Sequence, residues 1–159
     1  MPELVSPTAV VRDSYLAGEL AACEDDGTPT GYLELAAADF PAWAAARGRP
    51  RQQWDVPVTE LWYVDGTSYI GTVIIRHELT PALLHDGGNI GYHVVPACRR
   101  RGHATAMLAA ACRFCRDRGM TSVLLTCDDD NIGSRRVIEA NGGKLASESG
   151  HICRFWIQL

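Results

Sequence analysis

The chain has 159 residues, 47% of them hydrophobic and 21% charged, with a formal net charge of -4. These values fit one globular domain over residues 1–159 with its own core, and exclude a disordered or low-complexity chain. The acidic balance argues against nucleic acid as a partner and suits a cationic one, and no apolar run approaches the ~20 residues of a membrane span.

In chain order, Leu4-Val5 starts a first strand that Pro7 ends. Val11 to Cys23 predicts a helix, with Leu16, Leu20 and Cys23 at helical spacing and Tyr15 and Glu19 beside them. The acidic run Glu24-Asp25-Asp26 and the following Gly27-Thr28-Pro29 read as a solvated loop, or as a site for a cationic acceptor. Asp39 to Arg47 predicts a short helix with Asp39 as its N-cap and Pro41 in the first turn. Gly48 to Pro57 reads as a loop. Leu61–Val64 and Tyr69–Arg76 flank Asp65-Gly66, which predicts a hairpin. His77 to Pro81 and on to Gly88 reads as a loop, followed by a strand from Asn89 to Val95 that ends at Pro96. Its alternation puts Ile90, Tyr92 and Val94 on one face and Asn89, Gly91, His93 and Val95 on the other.

His103 to Arg118 has the clearest helical pattern, with an apolar stripe of Ala104, Met107, Leu108, Ala111 and Cys115, and Gly119 as its stop. Thr121 to Cys127 reads as a buried parallel strand reached by a right-handed crossover. A helix from Asn131 to Asn141 stops at Gly142-Gly143, and Leu145 and Ile152–Ile157 supply the last strands. There are six cysteines. Cys112 and Cys115 have the spacing of half a zinc site, but no second ligand pair stands nearby, so the expectation is reduced thiols and no metal. The N-terminus shows no leader pattern, because Arg12, Asp13 and Glu19 interrupt it, and the expected location is the cytoplasm.

The turn between the Asn89–Val95 strand and the next helix carries Arg99, Arg100, Arg101 and Gly102. Free N–H groups and aligned peptide dipoles at a helix start favour phosphate there. Arg99-x-x-Gly102-x-Ala104 resembles the acyl-CoA pyrophosphate signature of the GNAT superfamily of N-acetyltransferases. The order of strand, turn, helix, strand, Asn131-x-x-Ser134 and Asn141-Gly142-Gly143 resembles the core of that superfamily over roughly residues 61–159. The resemblance implies an α/β (α+β) fold: a single mixed, twisted sheet of about six to seven strands, helices on both faces, and central strands splayed to admit acyl-CoA.

By the same resemblance, the pyrophosphate would lie on the N–H groups of Arg100 to Thr105, His103 and Ala104 among them, with Arg99, Arg100 and Arg101 balancing charge. The pantetheine arm would run beside Val94 and Val95, and an N–H near Val94 would polarise the thioester carbonyl. Asn131 and Ser134 would meet the arm; Asn131 reads equally as a helix N-cap. The implied reaction is direct attack of a primary amine, on a small molecule or a protein, on acetyl-CoA. Trp43 and Trp54 are candidates for the acceptor side or for ordinary packing. A homodimer is a further expectation, with Trp156 on the last strand as one candidate contact.

The chain departs from the familiar pattern at two places. Many GNAT enzymes have a tyrosine seven residues after the asparagine of the last motif, where this chain has Ile138, and a glutamate at the head of the central strand, where it has Asn89. The remaining candidates for proton transfer are His77, Glu78, Tyr92, His93 and Cys127. Without the usual carriers, a non-catalytic acyl-CoA-binding sensor or regulatory module stays open as an alternative, as does a phosphate-binding domain unrelated to CoA.

Overall fold

The computed structural model describes residues 1–159. The strand β1 (Glu3–Val5) leads through a 3-10 turn into α1 (Arg12–Asp26), α2 (Gly31–Ala38) and α3 (Phe40–Gly48). Then come β2 (Arg51–Gln53), β3 (Val56–Asp65), β4 (Ser68–Arg76), α4 (Pro81–His85) and β5 (Ile90–Val94). The chain finishes with α5 (His103–Asp117), β6 (Ser122–Asp128), α6 (Ile132–Ala140), β7 (Lys144–Ser149) and β8 (Ile152–Gln158).

Local chemistry explains most boundaries. Asp39 Oδ1 accepts the Ala42 N–H at 3.2 Å and so caps α3 as its sequence predicts. The β3–β4 hairpin closes at Asp65 and Ser68 around Gly66. Four elements depart from the sequence reading, the first being α4, a short helix capped by Thr80 within the supposed loop 77–88. The acidic run Glu24–Asp26 is the last turn of α1 rather than a loop. α2 forms without a side-chain cap because Leu33 and Ala36 bury against the core; tertiary packing overrides its weak start signal. The supposed loop 48–57 contains β2, which pairs with β3 through a turn in which Trp54 and Asp55 both take positive φ, 54° and 61°. Trp54 does not announce that conformation, which glycine, asparagine or aspartate usually supplies.

The sheet is built as two antiparallel ladders. One has the order β1-β3-β4-β5 with β2 also on β3, and the other has the order β6-β8-β7. The expected parallel pairing of Thr121–Cys127 with the preceding strand is therefore absent as a ladder: β6 pairs with β8 alone, because the two halves splay. Asn89 clasps them through both its backbone and its side chain. The Asn89 N–H donates to Leu124 O at 2.7 Å, the Leu124 N–H donates to Asn89 Oδ1 at 2.8 Å, and Asn89 Nδ2 donates to Arg76 O at 3.0 Å. Asn89 is 3% exposed. Beside it, a Cβ on Gly88, whose φ is +63°, would stand 2.3 Å from Leu124 O, so only glycine lets the two halves approach here.

Helices cover both faces. α5 lays Met107, Leu108, Ala111 and Cys115 into a core shared by both ladders. On the opposite face of β3 and β4, α1 to α3 enclose Tyr15, Phe40, Trp62 and Tyr69. Burial pushes the thiol of Cys115 up to about 12 and that of Cys112 up to about 11, so both are inert packing groups at neutral pH. All six cysteines are unpaired. No helix is long and apolar enough to cross a membrane.

Candidate active site

Where β5 and β6 part, each has one edge without a ladder partner. The Val95 N–H reaches Ile70 O on β4 at 3.0 Å. Successive residues in an antiparallel ladder alternate direction, so the N–H groups of Tyr92 and Val94 face away from β4 and into the gap. The gap opens into a cavity of about 810 Å³. Its wall includes residues 90–94 of β5, 98–100 and 102–105 of the turn and α5, 126–128 of β6, and Asn131, Gly133 and Ser134 at the start of α6.

The turn supplies the polar end of this cavity. Arg100 and Gly102 take positive φ, 59° and 81°, and such reversals turn successive N–H groups to one side. The first hydrogen bond of α5 runs from Ala106 N to Gly102 O at 3.2 Å, and no backbone N–H from Arg100 to Thr105 has an intramolecular partner. That run of donors, at the positive end of a 15-residue helix, is an anion seat. Arg100 is exposed on the wall, whereas Arg101 is exposed but off it. Arg99 is already engaged: Nε donates to Val94 O at 2.9 Å and Nη1 to Asp25 Oδ2 at 2.8 Å. It ties the end of α1 to β5, which limits the charge-balancing role the sequence suggests.

Other sequence-predicted residues divide clearly. Val94 lies on the wall, but Val95 is 3% exposed in the α1-facing core, and its N–H is spent on Ile70. Asn131 is on the wall and also caps α6, its Oδ1 accepting the Ser134 N–H at 3.0 Å; its amide N–H groups are left to donate. Tyr92 and Ser134 meet across the gap, hydroxyl to hydroxyl, at 2.8 Å. Burial raises the Tyr92 pKa beyond what the Ser134 bond lowers, so the phenol is protonated at neutral pH. Asp128 is on the wall, while Asp129 pairs with His151 at 3.1 Å.

His77 and Glu78 are not brought to this cavity. His77 Nε2 is 2.7 Å from Thr59 Oγ1, and Glu78 is exposed beyond the end of β4. Their place in the sequence, just after a strand, suggested a site; the chain turns away there. Ile138 is fully buried in the main core and Asn89 is the clasp between the ladders, so both pattern departures have structural roles. Trp43 packs, its Nε1 donating to Tyr15 Oη at 3.3 Å with Arg47 stacked on its ring. Trp54 lies under the guanidinium of Arg76 at the rim of a neighbouring smaller cavity. No group of three or more His, Cys, Asp or Glu side chains is placed to hold a metal ion.

One cluster was not singled out in the sequence. Glu19, half-way along α1, has its side chain 12% exposed and faces β4 and β5. The Tyr69 hydroxyl donates to Oε1, the Tyr32 hydroxyl donates to Oε2 at 3.4 Å, and His93 Nε2 lies 3.3 Å from Oε1. Burial alone pushes the carboxyl up, but His93, Tyr69 and Tyr32 outweigh it and hold it below the usual carboxylate range. The stability this contributes is present at neutral pH and is lost as acid brings the pH down through the lowered value. The signals in the sequence were a glutamate beside an apolar helix stripe and, far along the chain, His93 among the candidates for proton transfer.

Comparison with known proteins agrees with this geometry. The model of the acetyltransferase (GNAT) family matches residues 10–142. The chain belongs to the GNAT family of acetyltransferases. The match begins well before residue 61, so the family likeness extends to α1. No curated protein matches the chain. Among solved structures, the GNAT domain of PAT from S. lividans superposes with a TM-score of 0.65 at 18% identity, covering 99% of this chain and 89% of that one. The PaiA N-acetyltransferase of Thermoplasma acidophilum, in complex with coenzyme A, gives 0.61 at 12% identity, covering 100% and 99%. The N-acetyltransferase PseH of Campylobacter jejuni, in complex with acetyl coenzyme A, gives 0.65 at 8% identity, covering 99% of each. At these identities the likeness establishes the GNAT fold.

Proposed function

We propose that this GNAT protein transfers the acetyl group of acetyl-CoA to a primary amine. The observation that carries the reading is the continuity, within one cavity, of the free N–H run of Arg100–Thr105 with the unpaired edge of β5. The residues fit the coenzyme: the N–H run and Arg100 suit a pyrophosphate, and an extended amide-bearing arm suits the open N–H groups at Tyr92 and Val94. Asn131 and Ser134 supply side-chain partners on the opposite wall. Bound acetyl-CoA supplies an acetyl thioester, which the amine attacks directly, releasing the thiol.

The protein's own groups then have distinct tasks. The Val94 N–H is placed to polarise a carbonyl in the gap, a task worth about 2.7–4 kcal/mol where single donors have been removed elsewhere. Tyr92, protonated and held by Ser134, is the proton donor we assign to the departing sulfur. Tyr92→Phe should lower kcat about 10- to 100-fold while calorimetry shows unchanged acetyl-CoA affinity. An unaltered kcat would remove Tyr92 from this role. Asp86 and Asp128 on the wall, with the net charge of -4, support a cationic acceptor.

A second reading is an acyl-CoA sensor without turnover, favoured by the burial of Ile138 and the clasp role of Asn89 at the usual places of proton carriers. A thiol-release assay over a panel of polyamines, amino acids and lysine peptides separates the two. Release that depends on acetyl-CoA and on one acceptor class supports transfer; binding of acetyl-CoA with no release from any member supports the sensor.

A further inference from the structure

The strongest unassigned feature is the side-chain pair Glu19–His93, which joins α1 to the cavity wall. His93 stands on β5, opposite Thr72 of β4, on the face that also carries Gly91. Its Nε2 is enclosed, with no neighbour nearer to a partner than Glu19 Oε1 at 3.3 Å, a pair without ideal hydrogen-bond geometry. The side chain as a whole is 33% exposed. Nδ1 makes no hydrogen bond and is not enclosed as Nε2 is, and the residue borders the cavity. The charged and titratable groups around the ring are Glu19 from α1 and, through it, Tyr69 of β4 and Tyr32 of α2; Arg99, bonded to Val94 O, lies next along the chain.

An ionised carboxylate at Nε2 favours the tautomer with its proton there. Nδ1 is then left as a free acceptor on a residue of the cavity wall. Two tyrosine hydroxyls that donate to one carboxylate, with His93 Nε2 3.3 Å away, fix Glu19 more rigidly than a helix surface acid requires. Purely structural burial of Glu19 would leave no reason for the ring it holds to open onto the cavity.

Resting on the acetyl-transfer reading above, we propose that His93 Nδ1 removes the proton from the acceptor amine and that Glu19 is its positioning residue. An alkylammonium has a pKa near about 10.4, so at neutral pH almost all of the acceptor arrives protonated. One proton passes from the ammonium nitrogen to Nδ1, the free amine lone pair is released for attack, and the imidazolium returns the proton to solvent. This gives the chain a base on the acceptor face, in place of the glutamate that Asn89 replaces.

The test uses the full chain, acetyl-CoA and two small acceptors: methylamine, which is protonated at neutral pH, and hydroxylamine, which is largely not. His93→Ala and His93→Gln are expected to lower kcat/KM for methylamine about 100-fold, to leave hydroxylamine within about 3-fold, and to abolish the acid limb of the pH profile. Calorimetric affinity for acetyl-CoA should be unchanged. Glu19→Gln, which keeps the shape and loses the charge, should reproduce part of the methylamine loss, with Glu19→Asp restoring some of it. Equal losses with both acceptors, or an intact acid limb in both His93 variants, would overturn the proposal while leaving acetyl transfer standing. Wild-type protein that binds acetyl-CoA but acetylates neither these two amines nor any member of the acceptor panel would overturn this proposal together with the acetyl-transfer reading.

Discussion

Gly102→Glu is expected to weaken acetyl-CoA binding at least about 100-fold, which is about 2.7 kcal/mol, in a protein that still folds. Two causes act together. Gly102 has φ +81°, a conformation costing a residue with a Cβ roughly 1–2 kcal/mol. The carboxylate would also stand at the start of α5, among the N–H groups that await an anion. No atom lies within 4 Å of the position its Cβ would take, so the substitution threatens the seat and not the core. Gly102→Ala carries the strain without the charge and should lose about tenfold or less. Calorimetry on both variants, with thermal melting as a folding control, separates the causes; unchanged affinity in folded Gly102→Glu would move the pyrophosphate seat elsewhere.

Asn89→Ala is expected to lower stability by about 3 kcal/mol, because it leaves the buried Leu124 N–H and one Arg76 carbonyl acceptor position without partners. For a chain of this size that is a fall in Tm of about 6–12 °C. The same change frees β5 from β6 at the point where the cavity begins, so acetyl-CoA affinity should fall as well. A melting temperature within about 2 °C of the wild type would mean that the two ladders are held together by other contacts.

Much of this was readable from residue order. The hairpin at Asp65-Gly66, the amphipathic α5, the glycine stops and the Arg99–Ala104 signature rest on local chemistry: turn conformers, periodicity and free helix-start donors. What the sequence concealed depends on contacts between distant segments. α2 exists because Leu33 and Ala36 find a core, and Trp54-Asp55 turns the chain without glycine. Asn89 looked like a lost catalytic base, yet its partners Leu124 and Arg76 make it the clasp of the splayed sheet. His77 and Glu78 carried plausible chemistry at a strand end that does not reach the cavity. Conversely, Glu19 and His93 lie 74 positions apart in sequence, and only the packing of α1 across β4 and β5 brings them together.

The most direct test of the account is calorimetric titration of the protein with acetyl-CoA, with ATP as the control ligand. Acetyl-CoA should bind at one site with micromolar affinity while ATP, which shares the phosphates but lacks the pantetheine arm, binds far more weakly. Equal binding of the two would reduce the site to a phosphate seat, and no binding of acetyl-CoA would contradict the assignment of the cavity between β5 and β6.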